Sequence, residues 1–137
     1  MNNVETVKAI YEAFGRGDIP FILNYVDETV AWEKWDDNTA QKADVPYMRE
    51  RNSIDGVLEF FAETGKLGIT SFDVVSIMDG GNKIAVEFNI ESDRFGKEEE
   101  MHLWTFNDAG KVVGFRHYLD TAKHIAANER IKSSAAA

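Results

Sequence analysis

The chain contains no cysteine, which excludes a disulfide framework, thiolate catalysis and any cysteine-ligated metal. Basic residues are scarce as well: 15 Lys and Arg stand against 24 Asp and Glu, a formal charge of -9. That field repels phosphate-rich partners, and no local basic patch offsets it, so nucleic acid is not an expected partner. No apolar run approaches membrane-spanning length, and Met-Asn-Asn-Val-Glu at the start lacks the positive and apolar regions of a secretion signal. The expectation is a cytoplasmic protein without membrane association. Also lacking are an internal repeat and a glycine-rich phosphate loop, since Gly65-Lys66 has neither the upstream glycine nor the following Ser or Thr.

What is present suits one domain. The 137 residues are 44% hydrophobic and 12% aromatic, ample material for a core. We expect a single domain over residues 1–130 and a flexible tail over 131–137, where Ser133 to Ala137 is small and featureless. Val4, Val7, Ile10, Tyr11 and Phe14 recur at helical spacing, and Gly15 and Gly17 stop that helix. Asp18 caps a second helix with Pro20 in its first turn. Thr29 to Trp35 reads as a strand, and Asp36 to Asn52 as a long irregular connection able to act as a pocket flap through Tyr47 and Met48. Ser53 caps a third helix whose inner face is Ile54, Val57, Leu58 and Phe61. Four strands follow, Thr70 to Met78, Lys83 to Glu91, Lys97 to Phe106 and Lys111 to Leu119, joined by short glycine-bearing loops. Helices followed by consecutive strands make an α+β layer structure.

The strand from Lys83 alternates cleanly, with Ile84, Val86, Phe88 and Ile90 on one face. With Arg94-Phe95-Gly96 as the loop, Phe88 pairs with His102, Val86 with Trp104 and Ile84 with Phe106, which turns His102 inward. A loop over Asn107 to Gly110 continues the inward set as Val113, Phe115, His117 and Leu119. Both histidines then share a wall with Glu33. The outward set, Met101, Leu103, Thr105, Arg116 and Tyr118, is too apolar for open water and suits a homodimer interface. Glu98 to Glu100 reads as a solvated sheet edge, and His124 as an exposed residue of a terminal helix. Glu33, His102 and His117 make a formal ligand set, yet none has the local spacing of metal-binding helices, so no metal or cofactor is expected.

The element order, with "GRGDIPFILNYV", "DETVAWE", "FNDAGKVVGF" and "RHYLDTA", resembles the nuclear transport factor 2-like superfamily, in its SnoaL-like and ketosteroid isomerase-like branches, over about Val4 to Ala126. The resemblance implies a cone-shaped, strongly curved, mostly antiparallel sheet packed on N-terminal helices. It places the isomerase general base at Glu33 and offers His102 where isomerases carry a protonated aspartate. The catalytic acid of SnoaL-type cyclases and limonene epoxide hydrolases falls at His117. The isomerase tyrosine falls on Ile10, one residue from Tyr11, and the arginine and aspartate of epoxide hydrolases fall near Val86 and Phe88, which argues against those two exact activities.

The expectation is therefore a small-molecule isomerase or cyclase in which Glu33 takes a proton beside a carbonyl and His102 and His117 stabilise or relay charge. The ligand is small and apolar or aromatic, in a pocket of Tyr11, Phe14, Trp35, Tyr47, Phe61, Val86, Phe88, Trp104, Phe115 and Leu119. A non-catalytic carrier of an apolar metabolite and an oligomerisation module stand as alternatives.

Overall fold

The first apolar stripe closes into helix α1, Asn3–Gly15, because the Asn2 side chain accepts from the Glu5 amide at its start and Gly17, at φ 72°, turns the chain away at its end. In the computed structural model, which describes residues 1–136, α2 follows over Ile19–Leu23. Asp18 accepts from the Phe21 amide and Pro20 lies in its first turn. Strand β1 is Val26–Trp32, three residues ahead of the expected span. It stops where Glu33 adopts the left-handed backbone, φ 56°, which breaks the extended run and carries Trp35 out of the strand.

The connection over 36–52 is folded, not irregular. It contains α3, Thr39–Lys42, and a 3-10 turn, Pro46–Met48. Trp32 and Arg51 exchange both backbone hydrogen bonds, Gln41 donates to the carbonyls of Glu33 and Met48, and Ala40, Val45 and Met48 are fully buried. Tyr47 and Met48 do point inward. In α4, Ile54–Thr64, Ser53 caps as expected, but the buried face is Val57, Phe60 and Thr64, and Leu58 is 47% exposed. Phe60 wins because its ring packs 5.1 Å from Trp32 and 5.8 Å from Phe115, contacts that fix the helix rotation.

The strands β2 (Ile69–Asp79), β3 (Lys83–Ser92), β4 (Gly96–Phe106) and β5 (Val112–Tyr118) form, with β1, an open curved sheet of order β1-β5-β4-β3-β2. Only the β1–β5 pair is parallel. The β3–β4 turn falls one residue earlier than expected, on 93–95, so Ser92 faces Gly96, Phe88 faces Glu100 and Val86 faces His102. That register differs by two residues from the expected pairing, and an even shift leaves every side chain on its expected face. On β5 a bulge moves the inward position from Val113 to the fully buried Val112. Gly114 sits at this irregularity, where a Cβ would come 3.2 Å from that of Thr105. The chain ends in α5, Thr121–Ala136, so residues expected in a free tail continue a helix. Ala137 lies outside the described residues. No helix among the described residues is long and apolar enough to cross a membrane.

Candidate functional site

The inner face of β4 presents Glu98, Glu100, His102, Trp104 and Phe106 at every second residue. Helices α1 and α4 and the 3-10 turn close over this row and leave a cavity of about 60 Å³. Tyr11, Phe14, Tyr47 and Phe61 line it from the helical side, and Phe88, Trp104 and Phe115 from the sheet. Phe14, Phe61 and Phe72 also line a surface groove of about 720 Å³, which makes that groove the cavity's mouth.

His102 and His117 lie opposite each other on β4 and β5, with ring centroids 4.6 Å apart, and both line the cavity. The other expected catalytic residue does not. Glu33 is 0% exposed and its Oε1 accepts the His117 amide at 2.8 Å and the Trp35 indole N–H at 3.2 Å. The turn at Glu33 thus uses its carboxylate to extend the β1–β5 pairing, beside the backbone of His117 and off the cavity wall. Burial raises its pKa to about 7, against the opposing pulls of His117, Trp35 and Arg116.

Three further residues expected in the pocket stand elsewhere. Trp35 stacks edge-on to Tyr118, and the Arg116 guanidinium sits 4.4 Å over its ring, on the outer face of the sheet. Val86 is fully buried in the core without reaching the cavity. Leu119 lies past the end of β5 and faces a surface hollow with Met101 and Tyr118.

Around His102 the hydrogen bonds define a proton position. The Trp104 indole donates to Tyr11 Oη at 3.0 Å, and Tyr11 Oη lies 2.6 Å from His102 Nδ1. An indole only donates, so Nδ1 is the acceptor within reach of the protonated Tyr11 hydroxyl, an arrangement that leaves the imidazole proton on Nε2. Nε2 makes no hydrogen bond among the described residues, and the fully buried imidazole nitrogen left without a partner is His117 Nδ1. Burial, then the neighbouring His117, push the His102 pKa well below its ordinary value, so the ring is neutral. Burial also raises the Tyr11 hydroxyl, which stays protonated.

A second polar group adjoins the first. His117 Nε2 meets Glu100 Oε1; His124 Nε2 meets Glu98 Oε2 and lies 3.1 Å from Glu100 Oε2; and Tyr47 Oη meets His124 Nδ1. His124 is 1% exposed, not a surface residue, and Glu98 and Glu100 are buried, not a solvated edge. Only Glu99, which points to the other face, is exposed. Burial disfavours the charged imidazoles, but Glu100 holds His117 above its ordinary value, and Glu100 with Glu98 holds His124 near 9. Burial likewise disfavours the Glu100 anion, and His117 overcomes it and keeps Glu100 ionised. Glu98 is raised, first by burial.

The profile of the SnoaL-like domain matches residues 7–115, from α1 into β5. The chain belongs to the SnoaL-like domain family. No curated protein matches it. A nuclear transport factor 2-like protein of unknown function from Burkholderia pseudomallei shares 26% identity at TM-score 0.71, over 93% of this chain and 97% of that one. TerC, co-crystallised with polyporic acid, shares 23% at TM-score 0.71, over 88% and 92%. IdmH from Streptomyces antibioticus, provisionally a polyketide cyclase, shares 17% at TM-score 0.69, over 94% and 99%. The last two identities speak to the fold alone. In this SnoaL-like domain Glu98, Glu100 and His124 are buried, where the sequence alone puts them at the surface. The signal for the two glutamates was available, because they lie two and four residues before the inward His102 on the same strand. His124, on α5, had no such signal.

Proposed function

We propose that this SnoaL-like domain binds a small, flat apolar or aromatic ligand carrying a carbonyl, and moves a proton at the carbon beside it, the chemistry of an isomerase or cyclase. The observation that carries the reading is the His102 Nε2–H, a fixed donor without a hydrogen-bond partner on a cavity wall it shares with His117 and Glu100. A donor held in place by Tyr11 and Trp104 needs no reorganisation when negative charge develops on a carbonyl oxygen, and a low-dielectric surround strengthens its effect. In its unprotonated form His117, on the same wall, takes up the carbon-bound proton; the Glu100 carboxylate stabilises the imidazolium so formed, which then returns the proton. Glu33 acts through His117, not on the ligand. The cavity admits one ring or a carbonyl head, and the groove at its mouth receives the remainder.

The test uses 1-tetralone, a bicyclic aromatic ketone. Exchange of its α-protons in deuterated buffer, followed by NMR, should be accelerated by the wild-type protein, and His102→Ala should slow the catalysed exchange about a hundredfold. Quenching of tryptophan fluorescence should report binding within a few-fold of wild type in that variant. Binding without any acceleration by wild type would leave a carrier in place of an enzyme.

We also infer that the outer sheet face joins two copies of the chain. Its support is a patch of Met101, Leu103, Arg116 and Tyr118, the last 43% exposed. Light scattering should give twice the 15.5 kDa chain mass, and Leu103→Asp should halve it. A monomeric wild type at micromolar concentration would remove this reading.

A further inference from the structure

We propose that Glu98, Glu100 and His124 hold a divalent transition-metal ion, Zn²⁺ or one of its first-row neighbours, on the wall of the cavity. This does not rest on the proposed proton transfer. The three residues are buried, and one ligand atom from each lies within 4.8 Å of the others. One nitrogen faces two oxygens there: His124 Nε2 meets both Glu98 Oε2 and Glu100 Oε2. An imidazole nitrogen carries at most one proton and satisfies two convergent carboxylate oxygens poorly, whereas a cation with tetrahedral preference satisfies all three atoms at once.

The atoms turned away from this point are each held by another group. His124 Nδ1 meets the Tyr47 hydroxyl, Glu98 Oε1 accepts the Asp120 amide at 2.8 Å, and Glu100 Oε1 meets His117 Nε2. Such outer partners orient metal ligands and fix the imidazole tautomer that leaves its lone pair on the ligating nitrogen. Charge agrees as well. Two carboxylates neutralise a dication, which would take the place of the proton that His124 otherwise holds between them. One nitrogen and two oxygens match the donor set of zinc, iron and manganese, not a soft metal, and not the six to eight oxygens that calcium takes. Glu100 and His124 both line the cavity, so a fourth ligand could reach the ion from that side, as in catalytic and not structural sites.

The experiment starts from untagged full-length protein stripped with EDTA and dialysed. Calorimetric titration with Zn²⁺ should show one saturable equivalent per chain, and Co²⁺ should give the intense visible bands of a four-coordinate ion. Glu98→Gln and His124→Gln should each weaken Zn²⁺ binding about a hundredfold or more, and Tyr47→Phe, which touches only the outer partner, about ten- to a hundredfold. Glu99→Gln, on the opposite face of the same strand, should bind as wild type. Retained affinity in Glu98→Gln and His124→Gln would place the metal elsewhere and overturn the assignment. So would a wild type that binds no equivalent, which would mean a protonated His124 bridging the carboxylates instead. Circular dichroism identifies any variant that fails to fold. In that event the Co²⁺ spectrum of wild type and the Tyr47→Phe titration decide: bands plus weakening support the site, and absence of bands ends it.

Discussion

Beside Tyr11 and Trp104 the cavity wall holds an imidazole that has lost its capacity to carry charge, whereas beside Glu100 it holds two that have gained it. The chain's three histidines share one apolar enclosure, so burial alone does not separate them. The partner does. His102 meets a hydroxyl, and desolvation, reinforced by His117, outweighs the pull of Glu100; His117 and His124 meet carboxylates that overturn the same penalty. Two adjacent wall positions, register partners across β4 and β5, thereby differ in charge: a neutral imidazole and a charged pair.

The contrast breaks most severely at Glu100. Glu100→Ala leaves His117 without its carboxylate and His124 with one fewer, and urea unfolding should register a loss of about 3–5 kcal/mol. A loss below 1 kcal/mol would show the two histidines to be neutral like His102. Next in size is Glu33, whose carboxyl has a folded pKa of about 7, raised from 4.5 by burial against the pull of His117 and Arg116. A raised pKa favours folding fully below the unfolded value and ceases to do so as pH climbs through the folded one. Relative to Glu33→Gln, the wild type should therefore lose about 3 kcal/mol of unfolding free energy between pH 4.5 and 7. A pH-independent difference would mean that this carboxylate is hydrated.

Smaller effects sharpen the neutral end. Tyr11→Phe removes the oxygen that accepts from Trp104 and the proton donated to His102, and should cost about 1–3 kcal/mol. Nitrogen-15 spectra of the imidazole decide whether the tautomer is released: in wild type the proton belongs on Nε2, in the variant it should divide between both nitrogens. Leu58→Ala is the control far from either polar group. The side chain is 47% exposed, and the change should stay within about 0.5 kcal/mol by thermal unfolding.

The fold was legible in sequence wherever alternation or capping is local. Ser53 and Asp18 accept from backbone amides in the first turns of their helices, and β3 buries Ile84, Val86, Phe88 and Ile90 as its alternation requires. His102 was placed on the correct face despite a misplaced turn, since the error was an even number of residues. Val113 was misplaced because a bulge is a property of the paired strands and leaves no period of its own. Glu98 and Glu100 were misread for a different reason. Their alternation pointed inward, but composition pointed to water, and only the distant partners His117 and His124 resolve that conflict in favour of burial. Trp35 was lost to the pocket through one backbone angle at Glu33, which no pattern of side chains announces.

The row on β4 also constrains how this domain can change over generations. Successive inward residues stand about 6.8 Å apart along a strand, so Glu100 and His102 are neighbours on a fixed ruler, one belonging to the charged pair and the other to the neutral donor. Substitution can alter either mark singly. Inserting one residue at Met101 cannot, because it would invert one half of the row against the other, exposing the acids or the imidazole and turning outward-facing residues into the cavity. Without a bulge such as that on β5, length within this strand is therefore free to drift only in steps of two, and a lineage that altered its ligand chemistry would do so most simply by exchanging side chains on an unchanged count.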